Sequence, residues 1–192
     1  MIGNDIIDLK LAAERDPLRP RFMDKVFTEG EQEIIFLNEK PVNQAWLLWA
    51  MKESAYKAHQ RRFSLPRNFN PLAPQCKIFS LTPTSVLGEV QIGNDNYKAF
   101  GELNPNFILS NATALPENQK VEWENIWGPK DLKKRLLLKI SASYGWDIKT
   151  IGIEKDKNFI PVITHRNRPV PIPFSLSHHG KFAAFSLALM NY

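Results

Sequence analysis

The chain of 192 residues holds a single cysteine, Cys76. No intrachain disulfide can form, and a zinc site built on cysteines is excluded. A reducing compartment is the simpler expectation. No apolar run approaches the roughly 20 residues that cross a bilayer. The opening MIGNDIIDLK carries a carboxylate at Asp5 and does not read as a secretory leader, so a cytoplasmic location is expected. There is no Gly-x-x-x-x-Gly-Lys loop, no Gly-x-Gly-x-x-Gly turn and no Gly-x-Ser-x-Gly elbow. Any phosphate bound here must be held by side chains and a metal ion rather than by a glycine loop. Low complexity and tandem repeats are absent as well.

What is present is an ordinary globular composition, 43% hydrophobic and 23% charged, with a net charge of +5. The positive balance favours an anionic partner: nucleic acid, a phosphorylated small molecule or an acidic protein. Residues 2–9 read as a short apolar strand interrupted by Asp5 and Asp8. Pro17 and Pro20 mark a loop. Thr28 with Glu31 three residues on forms a capping-box pattern and predicts a helix over about 29–38. "WLLWAMKESAYKAHQRR", 46–62, reads as one helix. After the loop "SLPRNFNPLAP", four short strands from Gln75 to Leu115 form an antiparallel meander. Residues 116–130 read as a polar linker. A helix over "PKDLKKRLLLKISASY" follows, stopped by Gly145. Further strands lie at 150–154 and 159–164 and in "PFSLSHHGKFAAFSLALMNY". Phe107-Ile108-Leu109-Ser110-Asn111 echoes Phe174-Ser175-Leu176-Ser177-His178. The echo suggests two half-domains of one plan, 1–115 and 116–192.

The 46–62 helix is apolar nearly all round, which is normal for a buried helix. Yet Glu53 and Lys57 continue the Trp46–Trp49–Ala50 stripe. A buried carboxylate costs several kcal/mol unless it is paired, protonated or metal-bound. An intrahelical Glu53–Lys57 pair is one explanation. Asp5, breaking an apolar strand just after Gly3, is a turn or capping carboxylate on its own. Together, Asp5 and Glu53 make a reasonable magnesium site, which typically uses one or two carboxylates with waters and phosphates. Lys52, Lys57, Arg61 and Arg62 line the end of the helix and suit phosphates, although a solvated basic face also explains the two arginines. Ser177-His178-His179 has the look of a strand end presenting polar groups to a cleft, against the plainer reading of an inert exposed histidine.

These pieces together resemble the 4′-phosphopantetheinyl transferase superfamily. Three motifs carry the resemblance: Gly3-Asn4-Asp5 with Ile6-Ile7-Asp8, Trp49-Ala50-Met51-Lys52-Glu53-Ser54 with Lys57, and Ser175-Leu176-Ser177-His178. It implies an α+β fold of two pseudo-symmetric half-domains, each a small antiparallel sheet packed with helices. It implies transfer of the phosphopantetheine arm of coenzyme A to a serine of an acyl or peptidyl carrier protein, with release of adenosine 3′,5′-bisphosphate. By resemblance, Asp5 and Glu53 hold magnesium, or manganese in its place. Glu53 or a water it orients takes the serine proton. Lys57 neutralises developing charge, and Lys52, Lys57, Ser177 and His178 contact coenzyme A.

Two departures stand out. Ile7 occupies the position where larger members carry a further acidic residue, and Asp8 follows the pattern of the small holo-acyl-carrier-protein synthases. Phe159-Ile160-Pro161 matches a Gly-Lys/Arg-Pro motif but lacks its basic residue. Lys133, Lys134, Arg135 or Lys157 are candidates to replace it, or are simply solvated. The resemblance implies a monomer holding both halves. It also suggests a permuted order, because the half ending in Ser-x-Ser-His normally comes first. The terminal strands would then be sheet neighbours, with Met1 near Tyr192. A basic nucleic-acid-binding module and a non-catalytic coenzyme A or carrier-binding relative are the competing readings. Against the first, the cations are scattered rather than striped with exposed aromatics.

Overall fold

The computed structural model describes residues 1–114 and 121–189. The chain begins with β1 (Ile2–Asp8), followed by the one-turn α1 (Leu9–Ala12), α2 (Pro20–Val26), α3 (Glu29–Phe36) and the long α4 (Pro41–Phe63). A meander of β2 (Pro74–Leu81), β3 (Ser85–Ile92), β4 (Asp95–Leu103) and β5 (Phe107–Thr113) completes the first part. β6 (Val121–Trp127), α5 (Leu132–Tyr144), β7 (Ile151–Lys155), β8 (Pro161–His165), β9 (Arg168–Val170), β10 (Phe174–His179) and β11 (Phe182–Ala188) form the second. The result is a mixed helix and sheet fold with several antiparallel sheets, as the resemblance implies.

The first sheet has the order β1-β5-β4-β3-β2, so its first strand pairs with its last. The second part also pairs its first strand with its last but divides its strands between two sheets. β6 pairs with β11, β11 with β10, and β7-β8-β9 form a separate small sheet. In both parts a long helix separates the first strand from the rest. α4 packs on one face of the first sheet, burying Leu48, Met51, Ala55 and Ala58 against Val86, Val90, Tyr97 and Ala99. α5 does the same with Leu136 and Ile140 against Ile163, Phe185 and Leu187. A third cluster, Ile6, Phe107, Leu109, Phe182 and Ala184, joins the two parts. Beside it Ser186 donates to Asn111, and both are fully buried.

Several expectations change. The 116–130 stretch contains strand β6 rather than a linker throughout. Its polar residues hid a strand that takes its backbone partners from β11. Residues 115–120 lie outside the described part. The Pro17–Pro20 loop leads into a helix, because Pro20 sits at the first helical position, where its missing N–H costs nothing. Pro41 starts α4 in the same way, five residues earlier than the sequence suggested. α3 has the predicted capping box, with Glu31 Oε2 accepting from Thr28 N at 2.9 Å. Gly145, at φ 66°, caps α5 as expected.

The sequence echo pairs the wrong strands. β5 corresponds by topology to β11, whereas the echo set it against β10. Nor are the two terminal strands sheet neighbours. β1 pairs with β5, and β11 with β10 and β6. β1 instead lies along β10, where Asn4 N donates to Ser175 Oγ at 3.0 Å. Tyr192, the other half of the Met1–Tyr192 expectation, is outside the described residues.

Candidate active site

Gly3 allows β1 to lie directly on α4. A Cβ there would stand 2.0 Å from the Ser54 carbonyl oxygen and 2.6 Å from Ala58 N. Side chains alternate along a strand, so Asp5, two residues on, faces the same helix. Its Oδ1 accepts from Lys57 Nζ at 2.8 Å. Lys57 Nζ also donates to the Asn4 carbonyl at 3.0 Å and lies 3.5 Å from Glu53 Oε2. One ammonium therefore bridges two carboxylates that stand on different elements. The charges that interrupt the tryptophan stripe line a cleft of about 500 Å³, together with Phe22, Trp46 and Trp49. Its opposite wall is β10, through Leu176, Ser177, His178 and His179. The three motifs, far apart in sequence, thus meet at one opening.

The site strains its acids. Burial raises the Asp5 carboxyl above its usual range, although Lys57 opposes this. Burial and then the Asp5 charge raise Glu53, while Lys57 and Arg67 pull it back. A folded carboxyl with a raised pKa holds its proton where the unfolded chain has lost it. Its ionisation therefore subtracts stability as pH climbs from the ordinary carboxylate value of about 4 through the raised one. Glu53→Gln removes one such group. Its melting temperature relative to the parent should increase as pH rises from 4 to 8, read by calorimetry at matched ionic strength. A difference that shrinks over that range would contradict the assignment.

Two carboxylates beside an open cleft suit a hard divalent cation that keeps waters or phosphate oxygens as its other ligands. A double positive charge would relieve the repulsion that Glu53 feels from Asp5. No group of three or more histidine, cysteine or acidic side chains that could hold a metal occurs among the described residues. Asp8 supplies no third ligand. Its carboxylate caps α1 by accepting from Lys10 N and Leu11 N, and takes Lys181 N at 3.1 Å.

Lys52 does not reach the cleft either. It is fully buried, 2.7 Å from Glu31 Oε2, and donates to the carbonyls of Pro71 and Pro74. It points to the opposite side of α4 from Lys57, where it pins the 64–74 loop, away from the cleft to which the expected coenzyme A contact would belong. Arg62 is turned to Asp95 at 3.0 Å. His178 and Ser177 do line the cleft, and the Ser177 Oγ is buried without a hydrogen-bond partner.

Residues not singled out from sequence also belong here. Arg67 and Phe69 come from the pinned loop, and Arg15 and Arg19 from the segment before α2. Arg67 lies in the "SLPRNFNPLAP" stretch, which the sequence marked only as a loop. Nothing in the sequence marked Arg15 or Arg19, which sit in a stretch taken for plain loop.

Residues 1–90 match the family model of the 4′-phosphopantetheinyl transferase superfamily. Over those residues, somewhat less than half of the chain, the sequence is similar to this superfamily. The matched span contains Asp5, Glu53 and Lys57, and ends within β3. No curated protein and no solved structure matches the chain. The superfamily match therefore covers the β1 and α4 side of the cleft, and the β10 wall is read from geometry. No helix among the described residues is long and apolar enough to cross a membrane.

Proposed function

We propose that this protein transfers the 4′-phosphopantetheine arm of coenzyme A to a serine of an acyl or peptidyl carrier protein. The superfamily it matches uses coenzyme A and acts on carrier proteins. The observation that carries the reading is the meeting of Asp5, Glu53 and Lys57 at a cleft faced by Ser177 and His178. Asp5 and Glu53 would hold magnesium, or manganese, which when bound neutralises pyrophosphate charge and orients the phosphoryl group.

The serine Oγ attacks the phosphorus that bears the pantetheine arm. Its proton passes to Glu53, or to a water that Glu53 orients. The bond from that phosphorus to the bridging oxygen breaks, and adenosine 3′,5′-bisphosphate leaves. Lys57 offsets the charge that grows on the phosphoryl and leaving oxygens. The raised Glu53 carboxyl is a better proton acceptor than an ordinary one. Ser177 and His178 stand where they would hold the substrate against the opposite wall. A net charge of +5 suits an acidic carrier surface. Both walls come from one chain, which supports a monomer.

Apo-carrier proteins incubated with enzyme, coenzyme A and magnesium should each gain one phosphopantetheine on serine, read by intact-mass spectrometry. EDTA should stop the reaction. Carriers of fatty-acid, polyketide and peptide assembly that all stay unmodified, or labelling indifferent to EDTA, would overturn the proposal.

A further inference from the structure

β1 ends on a carboxylate that takes no part in the transfer chemistry. Asp8 is 3% exposed and stands on the same face of the strand as Ile6, which packs on Phe182 and Ala184 of β11. Its Oδ1 accepts from Lys10 N at 3.0 Å and from Leu11 N at 3.4 Å, which starts α1. Its Oδ2 accepts from Lys181 N at 3.1 Å. Amides from two distant stretches of chain thus converge on one side chain. Such donors favour the ionised carboxylate, and both oxygens are occupied by the fold.

The Lys181 amide belongs to the turn between β10 and β11. Gly180 and Lys181 form that two-residue turn, closed by the pair His179 and Phe182. Gly180 is at φ 55°, the left-handed region that the first position of such a turn requires. A Cβ there would stand 2.4 Å from Asp8 Oδ2 and 2.9 Å from Asp8 Cγ. The turn therefore lies directly on the carboxylate. Asp8 meets the hairpin a second time, because its own amide donates to His179 Nδ1 at 3.0 Å. One contact would leave a pivot, whereas two fix the direction of the hairpin. β10 is the strand that brings Ser177 and His178 to the cleft, and the capped α1 leads to Ala12 and Arg15, which line it from the other side.

Resting on the transfer reading above, we propose that Asp8 is a positioning residue for the reaction. Its carboxylate ties the β10–β11 turn to the start of α1 and so holds Ser177 and His178 in place across the cleft from Asp5, Glu53 and Lys57.

Asp8→Asn isolates the tie. The carboxamide has the same shape, and asparagine is a good N-cap, so its oxygen keeps α1. Its NH2 group then replaces the acceptor that Lys181 N needs, and two donors face each other. By amide hydrogen exchange Lys181 should exchange at least about tenfold faster than in the parent, with Lys10 within about twofold. With an apo-carrier as acceptor, KM for coenzyme A should rise about tenfold or more, because the wall that holds this substrate swings, while kcat stays within about threefold. The half-saturating magnesium concentration should stay within about twofold, which loss of a metal ligand would not allow. A merely structural role would lower the folded fraction, and with it the apparent kcat, at an unchanged KM. Gly180→Ala breaks the same contact from the turn side. It should reproduce the split, and the double variant should be no worse than the poorer single one. An Asp8→Asn protein of parental KM, a magnesium requirement raised about tenfold, or effects of the two variants that multiply overturns the proposal and leaves the transfer reading standing. If the parent protein modifies no carrier, both readings fall.

Discussion

Glu53→Gln should lower kcat for carrier modification by about 10²- to 10⁴-fold, the range that loss of a positioned proton acceptor produces. The carboxamide keeps the size and shape of the side chain but cannot take a proton, and it is a poor ligand for a hard cation. The helix should not suffer. Glu53 contributes no buried ion pair of its own, because Lys57 keeps Asp5 at 2.8 Å and the Asn4 carbonyl at 3.0 Å. Activity and stability should therefore separate, with the variant nearly dead but folded. Glu31→Gln makes the opposite control. It leaves the fully buried Lys52 without its carboxylate, so stability should fall, by about 3–5 kcal/mol for a broken buried pair. Chemical denaturation and single-turnover kinetics on the two variants decide the matter. A Glu53→Gln enzyme of parental kcat would remove Glu53 from the reaction.

Gly3→Ala should be the most damaging one-carbon change in the chain. The added methyl would meet helix backbone at 2.0 and 2.6 Å, and neither atom belongs to a flexible side chain that can swing away. β1 must move off α4 or the helix must bend. Overpacking of this kind typically costs 1–3 kcal/mol and here should reach or exceed the upper figure. For a chain of this size that corresponds to a melting-temperature loss of about 6–12 °C. The greater effect should be on turnover. Asp5 rides on β1 and Glu53 on α4, so any separation widens the gap between the carboxylates. A displacement near 1 Å can cost about 10²-fold in rate. Residual activity measured well below the melting transition should therefore be at least 100-fold down. Parental activity in a folded Gly3→Ala protein would mean that the contact does not set the site.

The β1 and α4 side of the cleft was legible in the sequence because charge on an apolar helix face and in an apolar strand violates local pattern. Asp5, Glu53 and Lys57 break hydrophobic periodicity, and such breaks survive without knowledge of the fold. Lys52 broke the same periodicity for a different reason. It satisfies two loop carbonyls and Glu31 inside the core. A sequence shows that a charge is buried but not which wall it faces, and one residue of helix, 100° of rotation, separates Lys52 from Glu53. The meander and both long helices followed from turn residues and caps. β6 did not, because its partner β11 lies more than fifty residues away. The arginines at positions 15, 19 and 67 acquire meaning only from what the fold places opposite them.

β1 serves two masters. Its alternate side chains face α4 and the second sheet, and two of its amides leave the first part of the molecule altogether. Asn4 N donates to Ser175 Oγ and Asp8 N to His179 Nδ1, each at 3.0 Å. Opening the seam between the two parts would free these two hydrogens without melting either sheet. Their exchange with deuterated solvent, set against that of Leu109 or Val90 within the first sheet, would report how often the cleft comes apart. The Asp8 reporter has a built-in acid limit. His179 can accept through Nδ1 only while that nitrogen carries no proton, and burial already holds its pKa below the ordinary value. Acidification through that pKa would loosen the seam at the end that borders the cleft, without touching the Asn4 contact.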